Sequence, residues 1–405
     1  MLTPYEEAFE LLIQRVERLS TEKVLLWNAL GRVLAEDVYA DRDNPAFDNS
    51  AMDGYAIRSE DLENLPARLK VVGEVPAGGE WKGVVERGCA IKIFTGAPIP
   101  NGADAVVPVE FVREEGEYII VEKPFKKGAN VRYKGEEIKA GDILLKAGTR
   151  IRGYEIGLLA FANKVFVEVY QRPRVAILST GDEIKEPGET IEKPSQIRST
   201  NNHLLYAKAL ELGCEVHQLG IVPDNPELIA KALERVEDYH VFITTGGVSA
   251  GDKDFVHKLV KEMGFEVVFH KLRIKPAKPV LFAKKDKTLF FGLPGNPVSC
   301  AMAFDLLVKP ALLKMQGVEN FKPQAYKAEL LRDFSRRDAE RREFVRARFI
   351  QKDGKLYCDY SPKTQSHMLT YYVDANCYMV VYEEVKEIKA GQEVDILPFD
   401  WSAEP

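Results

Sequence analysis

At 405 residues the chain exceeds the size at which one hydrophobic core keeps growing, so three or four structural units are expected. Its 45% apolar and 29% charged composition is that of a soluble globular protein, and no run of about 18 apolar residues exists to span a membrane. A net charge of -6 argues against a general nucleic-acid binder, which needs a basic face, but it permits a local basic pocket for a small anion.

The chain opens with TPYEEAFELLIQRVERL. Thr3 and Glu6 stand at capping-box spacing, and Pro4 suits a first helical turn. Phe9, Leu12, Ile13, Val16 and Leu19 recur at helical spacing, so one face is apolar and packs either on its own domain or on a second copy. No basic region followed by an apolar run marks a secretory signal. The five cysteines are scattered without a CxxC, which fits a reduced, cytoplasmic setting and argues against a zinc knuckle or disulfide framework.

Next comes PAFDNSAMDGYA, Pro45 to Ala56. Its Asp, Asn, Ser and Gly are turn formers by composition, so a plain turn competes with a site in which Asp53 faces a substrate. From about 45 to 140 the text is short β-prone runs, LKVVGEVPAG, CAIKIFTG, AVVPVEFV and YIIVEKPF, separated by Gly and Pro. RIRGYEIGLLAFAN then returns to helix. A β-rich unit inserted between two pieces implies that the flanking pieces, 1–44 and 141–170, form one discontinuous N-terminal domain around the inserted domain 45–140.

From Arg174 strands alternate with helices of about ten residues or more, which predicts a mostly parallel α/β sheet covered on both faces, over 171–320. Residues 321–405 revert to β texture and read as a small barrel or sandwich. Ligands in such sheets bind beyond the carboxyl ends of the strands. The loops there are STGDEI (Ser179, Thr180, Gly181, Asp182, Glu183), TGGVSAGDKD (Gly246, Gly247, Ser249, Gly251, Asp254) and LPGNP (Pro294, Gly295, Asn296, Pro297). Gly-rich turns before helices expose backbone N–H groups to anions, and the neighbouring acids point to a Mg²⁺-bridged phosphate ligand. None of the three fits a P-loop or a dinucleotide fingerprint. In RIKPAKPVLFA the prolines stiffen a run carrying Lys275 and Lys278, which either grip one anion together or are solvated surface lysines. The six histidines show neither metal-ligand spacing nor a nucleophile partner.

Taken together, PAFDNSAMDGYA, IFTGAPIPNGADAVV, VAILSTGDEI, TTGGVSAGDKD, KPAKP and FGLPGNPVS resemble the MoeA family, whose eukaryotic counterparts include the gephyrin E domain. Their order and spacing match over nearly the whole chain. The resemblance implies a molybdopterin molybdenumtransferase, which takes adenylylated molybdopterin and molybdate, inserts the metal and releases AMP with Mg²⁺. It implies a four-domain subunit and an elongated homodimer whose cleft is shared between chains, with a MogA-type adenylyltransferase upstream as a partner. It makes Asp53, Thr95, Glu183, Asp224 and Asp254 the catalytic cleft residues, with Asp53, Glu183 and Asp254 as metal ligands. The three sheet-edge loops, with Glu137, become the molybdopterin side. Lys275, Lys278 and Pro279, with Arg346 and Ser366 from the C-terminal domain, become the molybdate side. Glu137 and Ser199 stand where the family has Asp, and Ala277 where it has Gly. Tungstate insertion and a non-enzymatic scaffold role of the gephyrin kind remain the alternatives.

Overall fold

The computed structural model describes residues 2–247, 255–361, 365 and 367–400. They fall into two compact units, Met1–Ala35 with Gly148–Arg152 and Phe166–Pro405, and Glu36–Ala147 with Gly153–Val165.

The first unit begins with the helix Tyr5–Arg15, which buries Ala8, Phe9, Leu12 and Ile13 on the apolar face read from the sequence. The expected capping box does not form: the cap position falls on Pro4, with no side-chain cap. The backbone of Thr3 is instead drawn into a bridge, donating to Lys271 and accepting from Arg273, while Glu6 pairs with Arg342. Strand Thr21–Leu25 lies antiparallel to Phe166–Tyr170, joining two segments far apart in sequence.

A six-stranded sheet forms the centre of this unit, in the order Glu215–Val222, Arg174–Thr180, Val241–Thr245, Thr288–Leu293, Leu281–Lys285, Glu266–His270. The first four strands are parallel. Val175 and Ile177 enter one apolar cluster and Ala176 and Leu178 another, so both faces are covered, as continuous apolar strands require. The last two strands run antiparallel. Residues 286–287 alone join Lys285 to Thr288, and so short a link returns the chain only as a hairpin.

The chain then builds a closed β-barrel. Arg342–Lys352, Lys355–Tyr360, Tyr326–Leu330, Glu393–Pro398 and Cys377–Val381 pair in turn, and the last pairs back onto the first. The short strand Ile274–Lys275 joins its edge, parallel to Arg342–Lys352.

The second unit holds another six-stranded sheet, in the order Ala105–Pro108, Gly54–Ile57, Cys89–Ile93, Ala67–Val75, Tyr118–Val121, Val112–Glu115. Gly54 sits against a neighbouring strand so closely that a Cβ would stand 2.1 Å from the Val107 carbonyl oxygen. Only glycine fits there, which explains the DG of the PAFDNSAMDGYA stretch.

Candidate active site

In the second unit Asp53 stands at the mouth of the strand Gly54–Ile57. Its Oδ1 accepts from both the backbone N–H and the hydroxyl of Thr95, each at 2.7 Å. The Thr95 N–H, with the hydroxyl adding to it, holds the exposed carboxyl below its ordinary value, so Asp53 is ionised at neutral pH. The stretch is more than a turn. Ser50 closes a local bond onto Met52, Asp48 accepts from Lys134, and Asn49–Ser50 pairs with Val131–Arg132. That pairing carries the following loop, where Glu137 accepts from Asn44 at 2.5 Å. The longer glutamate is thus spent on a local bond.

The first unit gathers the sheet-edge loops. Ser179 and Thr180 end their strand buried, and Ser179 donates to Asn202 at 2.6 Å. Gly246 and Gly247 have φ of 92° and 65°, and a Cβ on Gly246 would lie 2.4 Å from the Thr180 carbonyl oxygen. Both glycines are therefore needed for backbone shape and close approach. Asp182 accepts from the Asp224 N–H at 3.2 Å, bringing two of the expected acids together. Glu183 is exposed, and its backbone is anchored where Ile184–Lys185 pairs with Ile197–Arg198. Pro294 is buried, Gly295 and Asn296 are exposed, and Pro297 opens the helix Pro297–Ala303. Ser249, Gly251, Asp254 and Ser366 lie outside the described residues.

Two further residues, the first two of the helix Asn201–Glu211, organise this edge. Asn201 donates to the Thr245 hydroxyl and to the Gly295 carbonyl, each at 2.8 Å, so it staples two loops. Asn202 accepts from Ser179 and donates to the Gly220 carbonyl. The adjacent NN at a helix start, in the loop after a glycine-rich strand end, was the available signal. Around them the Thr180 Oγ1, Ser199 Oγ and Asn201 Oδ1 are buried with no hydrogen-bond partner among the described residues. Each such atom costs on the order of 1–3 kcal/mol unless something binds it. Ser199, the smaller residue where the family has Asp, is one of them. A glycine-lined edge with unmet donors and acceptors is chemically suited to a polar ligand such as a pterin and its phosphate.

The lysines play unequal parts. Lys275 pairs at 3.0 Å with Glu343, its direct cross-strand neighbour, whose side chain is 4% exposed and also faces Arg336 at 3.5 Å. Lys278 is exposed and makes no ion pair among the described residues. Its carbonyl closes the loop by accepting from Leu272 and Val280, with Pro279 between. Ala277 is buried at φ 67°, the left-handed conformation that favours glycine. Arg346 is fully buried on the barrel strand, donates to the Gln365 and Met368 carbonyls, and lies over the Tyr372 ring. Burial pulls its guanidinium below the ordinary value, and its bonds tie Gln365 and Met368 to the barrel strand. Among the described residues no group of three or more His, Cys, Asp or Glu is placed to hold a metal ion.

Comparison with known proteins accounts for this arrangement along the whole chain. Residues 3–162 match the model of the MoeA N-terminal region (domain I and II), 176–314 a probable molybdopterin binding domain, and 327–399 the MoeA C-terminal region (domain IV). The chain is 35% identical over 404 residues to a molybdopterin molybdenumtransferase of Haemophilus influenzae, covering 99% of each. It is 35% identical over 399 residues to one of Staphylococcus aureus, covering 97% of this chain and 95% of that protein. The crystal structure of a molybdopterin biosynthesis MoeA protein from Pyrococcus horikoshii superposes with a TM-score of 0.84 at 34% identity, over 98% of this chain and 100% of that one. A molybdenum cofactor biosynthesis protein from Pyrococcus furiosus superposes at 0.60 with 25% identity, over 98% and 100%. With these matches spanning both units, the chain belongs to the MoeA family.

Proposed function

We propose that this protein is a molybdopterin molybdenumtransferase of molybdenum cofactor biosynthesis, inserting molybdate into adenylylated molybdopterin with release of AMP. The observation that carries the reading is the glycine-lined sheet edge with the Thr180, Ser199 and Asn201 atoms that have no partner among the described residues, inside the segment that matches a molybdopterin binding domain. The relatives' shared name, transferase over the full length of the chain, supports the activity.

The chain's own residues divide the work. Backbone N–H groups at the glycine turns receive the phosphate, and the Asn201 Oδ1 accepts from the pterin's polar edge. Lys278, with Lys275 held by Glu343, supplies point charge for a tetrahedral dianion, which needs no bidentate fork. The dithiolene of the substrate provides the sulfur that receives molybdenum, so a protein thiol is unnecessary, and four of the five cysteines are buried. Asp53, ionised and fixed by Thr95, supplies a negative charge held in one place. Mg²⁺ belongs to this reading as the polarising charge on the phosphoanhydride. Among the described residues the carboxylates form no three-ligand cage for it. Tungstate, nearly the same in size and charge, is an alternative substrate that competition in the insertion assay would separate.

The reading includes a homodimer in which Asp53 of one chain serves the Glu183 side of the other, in a cytoplasmic setting downstream of the adenylyltransferase. Leu25, Trp27, Leu30 and Phe166, exposed large apolar residues on and beside one strand pair, support a self-association face. Mixing Asp53→Asn chains with Glu183→Gln chains restores part of the molybdate-dependent AMP release, because one cleft per mixed dimer is intact. A fully active monomer rejects the shared cleft, and AMP release that ignores molybdate rejects the enzyme in favour of a binding or scaffold protein.

A further inference from the structure

We propose that Tyr372 is a positioning residue that ties Arg346, on the molybdate side, to the helical run on which the pterin-side loop ends, so that occupation of one sub-site tightens the other. The proposal rests on the assignment of the two sub-sites given above.

Arg346 donates to the carbonyls of Gln365 and Met368 and lies 5.3 Å from the centre of the Tyr372 ring. Tyr372 closes the short helix Leu369–Tyr372 that follows this loop. Its hydroxyl meets the Tyr378 hydroxyl at 2.9 Å and the Val298 carbonyl at 3.3 Å. Tyr378 in turn donates to Asp305 at 2.7 Å. Asp305 is 1% exposed and receives Lys208 on its other oxygen at 2.8 Å.

Proton counting orients the chain. Tyr378 has one proton, and the carboxylate of Asp305 is its strongest acceptor, so Tyr372 is the donor in the tyrosine pair. The longer approach to Val298 is the weaker branch of the same Tyr372 proton. Burial raises both phenols above their ordinary value, so both remain neutral donors.

Val298 and Asp305 sit at two points of one helical run, Pro297–Ala303, Phe304–Val308 and Lys309–Met315, and its first residue is the last of the LPGNP loop. The middle turn is a π-helix, a widening often found at functional sites. Tyr372 therefore touches the pterin-side helix directly at Val298, and through Tyr378 at Asp305, while its ring supports Arg346, which holds Gln365 and Met368. A shift of the LPGNP loop on pterin binding reaches Arg346 through packed, hydrogen-bonded groups. The coupling is reciprocal by thermodynamic necessity.

Equilibrium dialysis with molybdate, on protein alone and on protein saturated with molybdopterin, tests this. In the unaltered protein molybdopterin is expected to tighten molybdate by about fivefold or more. In Tyr372→Phe, which keeps the ring under Arg346, and in Tyr378→Phe, most of that factor disappears, while each ligand alone binds within about threefold of normal. A merely structural role would lower the melting temperature and leave the factor intact, so an intact factor in both variants overturns the proposal. So does the absence of any factor in the unaltered protein. Should Tyr372→Phe fail to fold, Tyr378→Phe decides alone. Lys275→Ala and Lys278→Ala serve as the parallel arm: if neither weakens molybdate, the sub-site assignment fails, whatever the tyrosine variants do.

Discussion

Replacing Asn201 separates its role as a staple from that of a bystander at a helix start. Its amide makes two 2.8 Å bonds, to the Thr245 hydroxyl and the Gly295 carbonyl, while its Oδ1 has no partner among the described residues. Asn201→Ala removes two bonds worth about 1 kcal/mol each, and the unmet buried acceptor it removes is offset by the buried Thr245 hydroxyl it leaves without a donor, so the net loss is about 1–2 kcal/mol. Asn201→Asp keeps the shape but sets a carboxylate against the Gly295 carbonyl in a buried position. Thr245 can still donate to it, yet the charge and the carbonyl repulsion raise the loss to about 3 kcal/mol or more. Thermal unfolding of both variants, with and without saturating adenylyl-molybdopterin, is the assay. At about 2–4 °C per kcal/mol for a domain of this size, the aspartate variant melts several degrees below the alanine variant. Ligand stabilisation is also smaller in Asn201→Ala than in the unaltered protein, because the substrate loses the Oδ1 acceptor. An aspartate tolerated better than alanine, or an alanine variant with full stability and full ligand response, would refute the staple.

Thr95→Val removes a hydroxyl bond from the exposed Asp53 carboxylate and lets its depressed pKa rise. A depressed folded pKa gives an effect that is present above the unfolded value and lost as pH falls through the folded one, so the acid limb of the activity profile moves to higher pH; a profile identical to normal counts against the pairing. Lys278→Ala and Lys275→Ala each raise the molybdate concentration for half-maximal turnover, with little change in pterin affinity, and arginine rescues only in part; a selective loss of pterin affinity means the two sub-sites are reversed. Lys275→Ala additionally destabilises the fold, since it strips the nearest partner from the buried Glu343, whereas the exposed Lys278→Ala does not, as comparative denaturation will read. Ala277→Gly relieves about 1 kcal/mol of left-handed strain but gives up a buried methyl worth about 0.8 kcal/mol, so its melting temperature stays near normal, while Ala277→Val falls clearly below both.

The α/β sheet was legible because its strands are short continuous apolar runs between amphipathic helices, a pattern set by neighbours in sequence. The glycine loops were legible for the same local reason: Gly246 and Gly247 are demanded by φ and by close approach to Thr180. Ala277 stood out as a residue where the resembled family has Gly, and its backbone is left-handed. The capping box at Thr3 and Glu6 was misread because it competes with partners some 270 and 340 positions away, Lys271, Arg273 and Arg342, which no local pattern reveals.

By itself the sequence determined which segments bury apolar faces, where the backbone must turn with positive φ, and which family motifs stand in which order, since each depends on residues close together in the chain. Tertiary structure alone decided that Lys275 answers to a buried Glu343 while Lys278 stands exposed. It alone decided that Asn201 joins two loops, that the buried Arg346 donates to Gln365 and Met368, and that Tyr372 meets both Val298 and Tyr378. Those relations join side chains from separate strands and helices, and a hydrogen bond of about 3 Å exists only once strand register and barrel closure bring the two groups within reach.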